Sequence, residues 1–148
     1  GGKSDIYRMS QGMCNGFSIG AISIAPHIQP KHVMLGTTFG GNHLDCAAAL
    51  AVLEVIEKEN VIENAKTVGD YLMNELKKLP NIIEVRGRGL MIGIELPETF
   101  SMVKKNLLFT HKIFTGEAKP NVIRLLPALN ITRIEADIFL QAIKTKLG

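Results

Sequence analysis

The sequence predicts an α/β fold, and three observations carry that prediction. Two amphipathic helical patterns run in series between residues 44 and 79. Across residues 82–96 the spacing of apolar residues shifts from about 3.6 to about 2, the change that separates a helix from a strand. Thr132-Arg133-Ile134-Glu135 then has the form of a capping box, in which a threonine and a glutamate three positions on open a last helix.

Taken in order, the elements begin with a short strand-like run, Asp5-Ile6-Tyr7-Arg8-Met9-Ser10, directly after Gly1-Gly2-Lys3-Ser4. With no helix or turn ahead of it to cover that strand, the chain is expected to begin in the middle of a fold. Turn formers fill 11–18, and a second apolar run at 19–25 stops at Pro26. Residues 26–35 show no period and form a connection. Apolar residues at 44, 48, 51, 52, 55 and 56 share one helical face, and a second face at 61, 65, 68, 72, 76 and 79 ends at Pro80. The β-rich runs at 82–86 and 90–96 flank Gly87-Arg88-Gly89, expected to form a glycine-permitted turn or bulge. A short helix over 100–108 and a strand over 122–126, halted by Pro127, precede the final helix, whose Ile134, Ile138, Ala142 and Ile143 suit packing on a sheet. The expected division is a remnant of a larger domain at 1–43 and a small α/β domain with its own core at 44–148.

Composition narrows the function classes. At 148 residues with 46% hydrophobic content the chain has the material for a core, so disorder is not expected. The net charge of +3 is spread along the chain, tryptophan is absent and aromatics make up 5%, which argues against a nucleic-acid partner. No apolar run reaches membrane-spanning length and no basic leader opens the chain, so a cytosolic protein is expected. Cys14 and Cys46 lack CxxC spacing and read as reduced, partly buried thiols. His27, His32, His43 and His111 are scattered, so no metal is expected. The methionines at 9, 13, 34, 73, 91 and 102 share no spacing and read as core filler.

The segment richest in chemistry is Gly36-Thr37-Thr38-Phe39-Gly40-Gly41-Asn42, which runs straight into the first helix. Two hydroxyls and a permissive backbone stand beside the free N–H groups of a helix start, a setting suited to a phosphate. A solvent-facing turn in which Asn42 only caps the helix fits the same local pattern. Both readings stay open on these residues alone.

Four ordered segments resolve the choice by resemblance. They are 5–17, beginning Asp5-Ile6-Tyr7; Gly36 to Asn42 with Leu44 and Cys46-Ala47-Ala48-Ala49; Val85-Arg86-Gly87-Arg88-Gly89-Leu90-Met91; and Ile123-Arg124-Leu125-Leu126-Pro127. Together they resemble the C-terminal part of the class III, fold type I aminotransferases, which use pyridoxal 5'-phosphate, and most of all the acetylornithine and succinylornithine enzymes of arginine metabolism. The resemblance implies the small domain plus the last strands of the large cofactor-binding domain. It also implies a homodimer.

By that resemblance Gln11 stands where the family has its Schiff-base lysine. A carboxamide cannot condense to an imine and does not titrate as a base near neutral pH, so the chain is expected to hold the cofactor without a covalent bond, if at all, and to be inactive alone. Cys14, Ser18, Arg8 and His43 also depart from the pattern. An engineered replacement, a decayed or repurposed copy and a sequence error would each explain Gln11, and the clustering of departures favours a decayed or truncated copy. Thr38 matches the threonine that reaches the cofactor phosphate across the dimer, Thr37 the position next to substrate, and Arg124 the arginine that clamps a substrate carboxylate. Without the resemblance, the threonines read as local capping, and Arg124 as a surface ion pair with Glu95 or Glu117. Arg86 and Arg88 read as solvated turn charges, and Asn15 and Gly16 as loop-shaping residues.

The function implied is transfer of an amino group from N-acetylornithine or N-succinylornithine to 2-oxoglutarate. The alternative is a non-catalytic domain that self-associates or binds another protein through a face left bare. A binder of phosphorylated metabolites through Thr37 and Thr38 is the weaker third reading.

Overall fold

The computed structural model describes residues 4–9, 13, 15–29, 31, 36–119 and 121–148. Gln11, Gly12, Cys14, His32 and Met34 lie outside them, so the expectations made at those positions have no structural counterpart. The chain separates into two compact units, Gly1–Lys58 and Glu59–Gly148. The first helix therefore groups with the N-terminal segment, further along than the 43/44 boundary expected from sequence.

In the first unit, β1 (Ile6–Met9) and β2 (Ala21–Ile24) form an antiparallel pair with Ile6 opposite Ile24 and Met9 opposite Ala21. Asn15 and Gly16 between them have φ of 46° and 106°, left-handed conformations that asparagine and glycine adopt most readily, which fits their loop-shaping role. Helix α1 (His43–Lys58) follows and buries none of its residues. Its most covered positions are 45, 48, 49, 52 and 56, while Leu44, Leu50, Leu53 and Val55 are exposed. Cys46 is exposed rather than partly buried, because it projects from that uncovered side.

The second unit is a two-layer α/β sandwich. Its antiparallel sheet has the order β3-β4-β6-β5, with β3 at Glu84–Arg88, β4 at Met91–Glu95, β5 at Gly116–Lys119 and β6 at Val122–Leu125. Helices α2 (Val61–Leu76), α3 (Val103–Phe109) and α4 (Arg133–Leu147) complete it, with a 3-10 turn at Glu98–Phe100. Alternation along the strands turns Ile92, Ile94, Ile123 and Leu125 inward, where they meet Leu72 and Leu76 of α2, Leu107 of α3 and Phe139 and Ile143 of α4.

Several expectations are corrected by this packing. The glycine-rich stretch is not a turn throughout: β3 runs on through Gly87 and Arg88, and the chain reverses only at Gly89, φ 56°, and Leu90. Strand β5 carries the sequence GEAK, which has no β-branched residue, and it is recruited by pairing with β6. The inward face of α4 is Ala136, Phe139, Ala142, Ile143 and Leu147, so Ile134 and Ile138 point outward despite their apolar character. Met9, Met91 and Met102 are exposed, not core filler, and Met73 alone of the described methionines packs against the core of this unit.

Polar contacts lock α2 and α4 together. The Tyr71 hydroxyl donates to Asp137 Oδ1, and the Arg133 guanidinium stacks over the Tyr71 ring, 3.2 Å from its centroid. The bond to Asp137 raises the Tyr71 phenol above its usual range. Asn64 Nδ2 donates to the carbonyls of Leu129 and Ile131, fixing the approach to α4.

The capping box forms as expected. The Thr132 side chain accepts from Glu135 N, and the Glu135 carboxylate accepts from Thr132 N at 2.8 Å. That backbone bond, more than any other contact, holds the Glu135 carboxyl below its ordinary value. A lowered native value means the carboxylate stabilises the fold above the unfolded-state pKa and ceases to as pH falls through the native one. Thr132→Ala is expected to cost about 1 kcal/mol at neutral pH. Glu135→Gln, which removes the carboxylate and leaves the Thr132 N–H in place, should lose stability at neutral pH and converge with the parent as pH falls through the native carboxyl value, measured by urea denaturation in steps of pH. A gap independent of pH would refute the coupling.

Candidate functional site

In the first unit the loop before α1 carries the phosphate-like motif. Asn42 Oδ1 accepts from Asp45 N at 2.9 Å, and its Nδ2 donates to the Phe39 carbonyl and to Asp45 Oδ2. Asn42 therefore caps the helix and closes the turn at once. Gly41, with φ 71°, takes the left-handed conformation that the turn requires, and a Cβ on Gly40 would fall 2.2 Å from Thr37 Cγ2. This close approach packs the Thr37 methyl against the backbone of Gly40.

Thr37 and Thr38 are exposed, and neither hydroxyl is engaged in a hydrogen bond among the described residues. Beside them a cleft of about 680 Å³ is lined by Ser18, Ile19, Thr37, Phe39, Asp45 and Cys46, together with glycines of the loop. Asp45 stands in the first turn of α1, so one carboxylate already lies at the helix start that would attract an anion. The loop offers hydroxyl donors to an anion. It offers no cationic side chain.

In the second unit Arg124 sits on β6, on the sheet face turned away from α2 and α4. It is exposed and has no ion pair or side-chain hydrogen bond among the described residues. Glu95, expected from sequence as a partner for Arg124, is bound instead by Arg86 at 2.8 Å, and Arg86 also bonds to Glu84. Those carboxylates raise the Arg86 guanidinium above its usual value, the hydrogen bond it donates to Glu95 contributing most. Arg86 is thus an exposed but ion-paired charge on strand β3 and not, as expected from its neighbours, a turn charge. Arg124 has no counter-ion among the described residues, and the side chain of Glu117, the other partner expected from sequence, lies outside them.

Arg124 also lines a cleft of about 460 Å³ whose walls are largely apolar, among them Leu72, Phe114, Leu126, Ile138 and Phe139. Thr115, 7% exposed, lines the same cleft, and its hydroxyl is buried with no hydrogen-bond partner among the described residues. A planar guanidinium on the exposed sheet face suits a small carboxylate, which it can grip through two parallel charge-assisted bonds. Neither the cleft nor the buried hydroxyl is visible in sequence, because their residues come from α2, β5, β6 and α4 and meet only through the sheet order.

Of the positions singled out from sequence, Thr37 and Thr38 belong to the first unit and Arg124 to the second, while Gln11 is outside the described residues. No group of three or more potential metal ligands occurs among the described residues, and no helix there is long and apolar enough to cross a membrane.

The family model for class-III aminotransferases matches residues 1–147. The chain belongs to the class-III aminotransferases. Acetylornithine aminotransferase 1 of Bordetella bronchiseptica is 38% identical over 141 residues, covering 91% of this chain and 36% of that protein. The mitochondrial alanine--glyoxylate aminotransferase 2 homolog 2 of Arabidopsis thaliana is 39% identical over 155 residues, covering 93% of this chain and 32% of that protein. The crystal structure of acetylornithine aminotransferase from Elizabethkingia anophelis superimposes with a TM-score of 0.81 at 27% identity, covering 98% of this chain and 39% of the other. The fold is therefore that of the fold type I aminotransferases, and the chain spans about a third of the length of the curated relatives it matches.

Proposed function

We propose that this chain is the C-terminal part of a cytoplasmic, pyridoxal-phosphate-dependent transaminase that moves the side-chain amino group of N-acetylornithine, or of its succinyl analogue, to 2-oxoglutarate. In this reading the N-terminal stretch is the edge of the large cofactor-binding domain, the remainder is the small domain, and two copies associate as a homodimer. The observation that carries it is the family match over nearly the whole chain, joined to an exposed arginine that has no ion pair among the described residues.

Each residue has a binding or orienting task. Arg124 takes the carboxylate that 2-oxoglutarate and acyl-ornithine share, so both are held by the same end. Thr38 donates its hydroxyl to a phosphate, and Thr37, packed against Gly40, faces substrate. When bound, pyridoxal phosphate supplies an electron sink for the carbon that loses its proton.

The chain's donors fit that group only in part. Two hydroxyls before a helix start, with no hydrogen-bond partner among the described residues, suit its phosphate, whereas position 11 carries a carboxamide that cannot anchor it covalently. No catalytic step is therefore assigned to this chain alone. Purified chain given pyridoxal phosphate, N-acetylornithine and 2-oxoglutarate is expected to release no glutamate and to yield no stoichiometric borohydride-trapped adduct by mass spectrometry. An adduct confined to one residue would overturn the loss of the covalent anchor.

One observation favours the non-catalytic alternative. Leu44, Leu50 and Leu53 of α1 are 67%, 63% and 57% exposed within a helix that buries nothing. Self-association through that helix would appear in sedimentation as a concentration-dependent rise in mass, abolished by polar replacements at Leu50 and Leu53.

A further inference from the structure

Arg124 lies in a row of directly paired residues that crosses the whole sheet. Arg86 on β3 is opposite Gly93 on β4, Gly93 is opposite Arg124 on β6, and Arg124 is opposite Gly116 on β5. Side chains directly opposite in adjacent strands project on the same face. Each arginine in the row thus has a glycine as its cross-strand neighbour.

The two glycines are used differently. A Cβ placed on Gly93 would meet Arg86 Cγ at 3.7 Å and Val122 Cγ1 at 3.8 Å, ordinary contact distances, and none of its three nearest atoms belongs to Arg124. A Cβ on Gly116 would fall 3.1 Å from Arg124 Nε and 3.5 Å from Nη2. The Arg124 side chain therefore folds over β5, away from Arg86 and its two carboxylates, with its guanidinium in the space a side chain at position 116 would fill. Gly116 and Arg124 line the same cleft with Phe114 and Thr115. Its φ is not in the left-handed region, so backbone freedom does not explain the glycine.

We infer that Gly116 is a positioning residue for Arg124: its missing side chain seats the guanidinium across β5 on the exposed sheet face, held apart from Glu84 and Glu95 and open to a carboxylate ligand. This rests on the carboxylate role proposed above for Arg124 and adds what aims it. The alternative path for the side chain, over Gly93, leads toward Arg86, where a second guanidinium and two carboxylates compete. A residue at 116 large enough to close the first path would send Arg124 into solvent or toward that cluster.

The test follows the Arg124 Nε–Hε resonance by NMR in the full chain during titration with glutarate. In the parent, an Overhauser contact between Arg124 Hε and Gly116 Hα is expected without ligand, and glutarate should shift the Arg124 resonance. Gly116→Val is expected to abolish the contact and weaken glutarate binding at least tenfold, while β5 keeps a residue with higher strand propensity. Gly116→Ala should weaken it less, and Gly93→Ala should leave both contact and affinity as in the parent.

Equal glutarate affinity in parent and Gly116→Val overturns the inference, as does absence of the Overhauser contact in the parent. If the Gly116→Val chain fails to fold, the Gly116→Ala variant decides by the same readout, and parental affinity there overturns it. A parent that shows the contact but ignores glutarate instead refutes the carboxylate role of Arg124, and with it any recognition role for Gly116. The persisting contact tells that failure apart from an error in the placement of the side chain.

Discussion

Gly69→Ala is expected to destabilise the second unit by about 2 kcal/mol, although alanine at an interior helix position ordinarily stabilises. A Cβ at position 69 would lie 2.2 Å from the Gly89 carbonyl oxygen and 2.3 Å from its carbon. Both are main-chain atoms of the β3–β4 turn, so no side-chain rotation relieves the clash and the helix must move off the sheet. Overpacking of this kind costs about 1–3 kcal/mol, with rigid backbone obstacles at the upper end. The gain in helix propensity offsets about 1 kcal/mol. Urea denaturation followed by far-UV circular dichroism should place the variant's midpoint below the parent's by about 1 M. A midpoint at or above the parent's would mean that α2 and the turn are not in contact, and the layer arrangement would have to be redrawn.

Leu72→Ala, one turn further along α2, should cost about 3 kcal/mol. Leu72 is 2% exposed, belongs to the main apolar cluster, and also lines the cleft beside Arg124. Truncating a buried leucine loses the transfer free energy of the removed atoms and leaves a void, together about 2–5 kcal/mol. At position 72 the void adjoins an existing cleft, which argues for a value below the top of that range. Leu76→Ala, at a position with no exposure and away from the cleft, should cost more. If Leu72→Ala lost less than about 1 kcal/mol, the helix would not be covering the sheet. Because residues 69 and 72 act on one interface, the double variant should lose less than the sum of the singles.

Much of this architecture is legible in the residues. The apolar period at 61, 65, 68, 72 and 76 is the buried face of α2, since a helix packed on one sheet must repeat its contacts every turn. Thr132 and Glu135 satisfy each other's backbone donors through local geometry alone, which is why the start of α4 can be read from its sequence. Strand β5 could not be read, because a GEAK segment becomes a strand only when β6 supplies its hydrogen-bond partners. Ile134 and Ile138 misled for a related reason: their spacing matches a helical face, but the sheet covers the neighbouring stripe.

The candidate residues divide the same way. Thr37, Thr38 and Arg124 stand out in ordered motifs, and the capping role of Asn42 follows from its place before the helix. The expected partnership of Arg124 with Glu95 failed because strand register hands that carboxylate to Arg86. Gly116 carried no signal eight positions before Arg124 until the β5–β6 pairing set the two side by side.

By itself, then, the sequence determined the family, the main helices and the carboxamide at position 11, because each depends on residue identity or on periods of a few residues. Which arginine is neutralised, which glycine clears space for the other, and where an apolar cleft opens were decided only by the tertiary structure. Those features arise from residues far apart in the chain, and the order of strands alone brings them within contact distance.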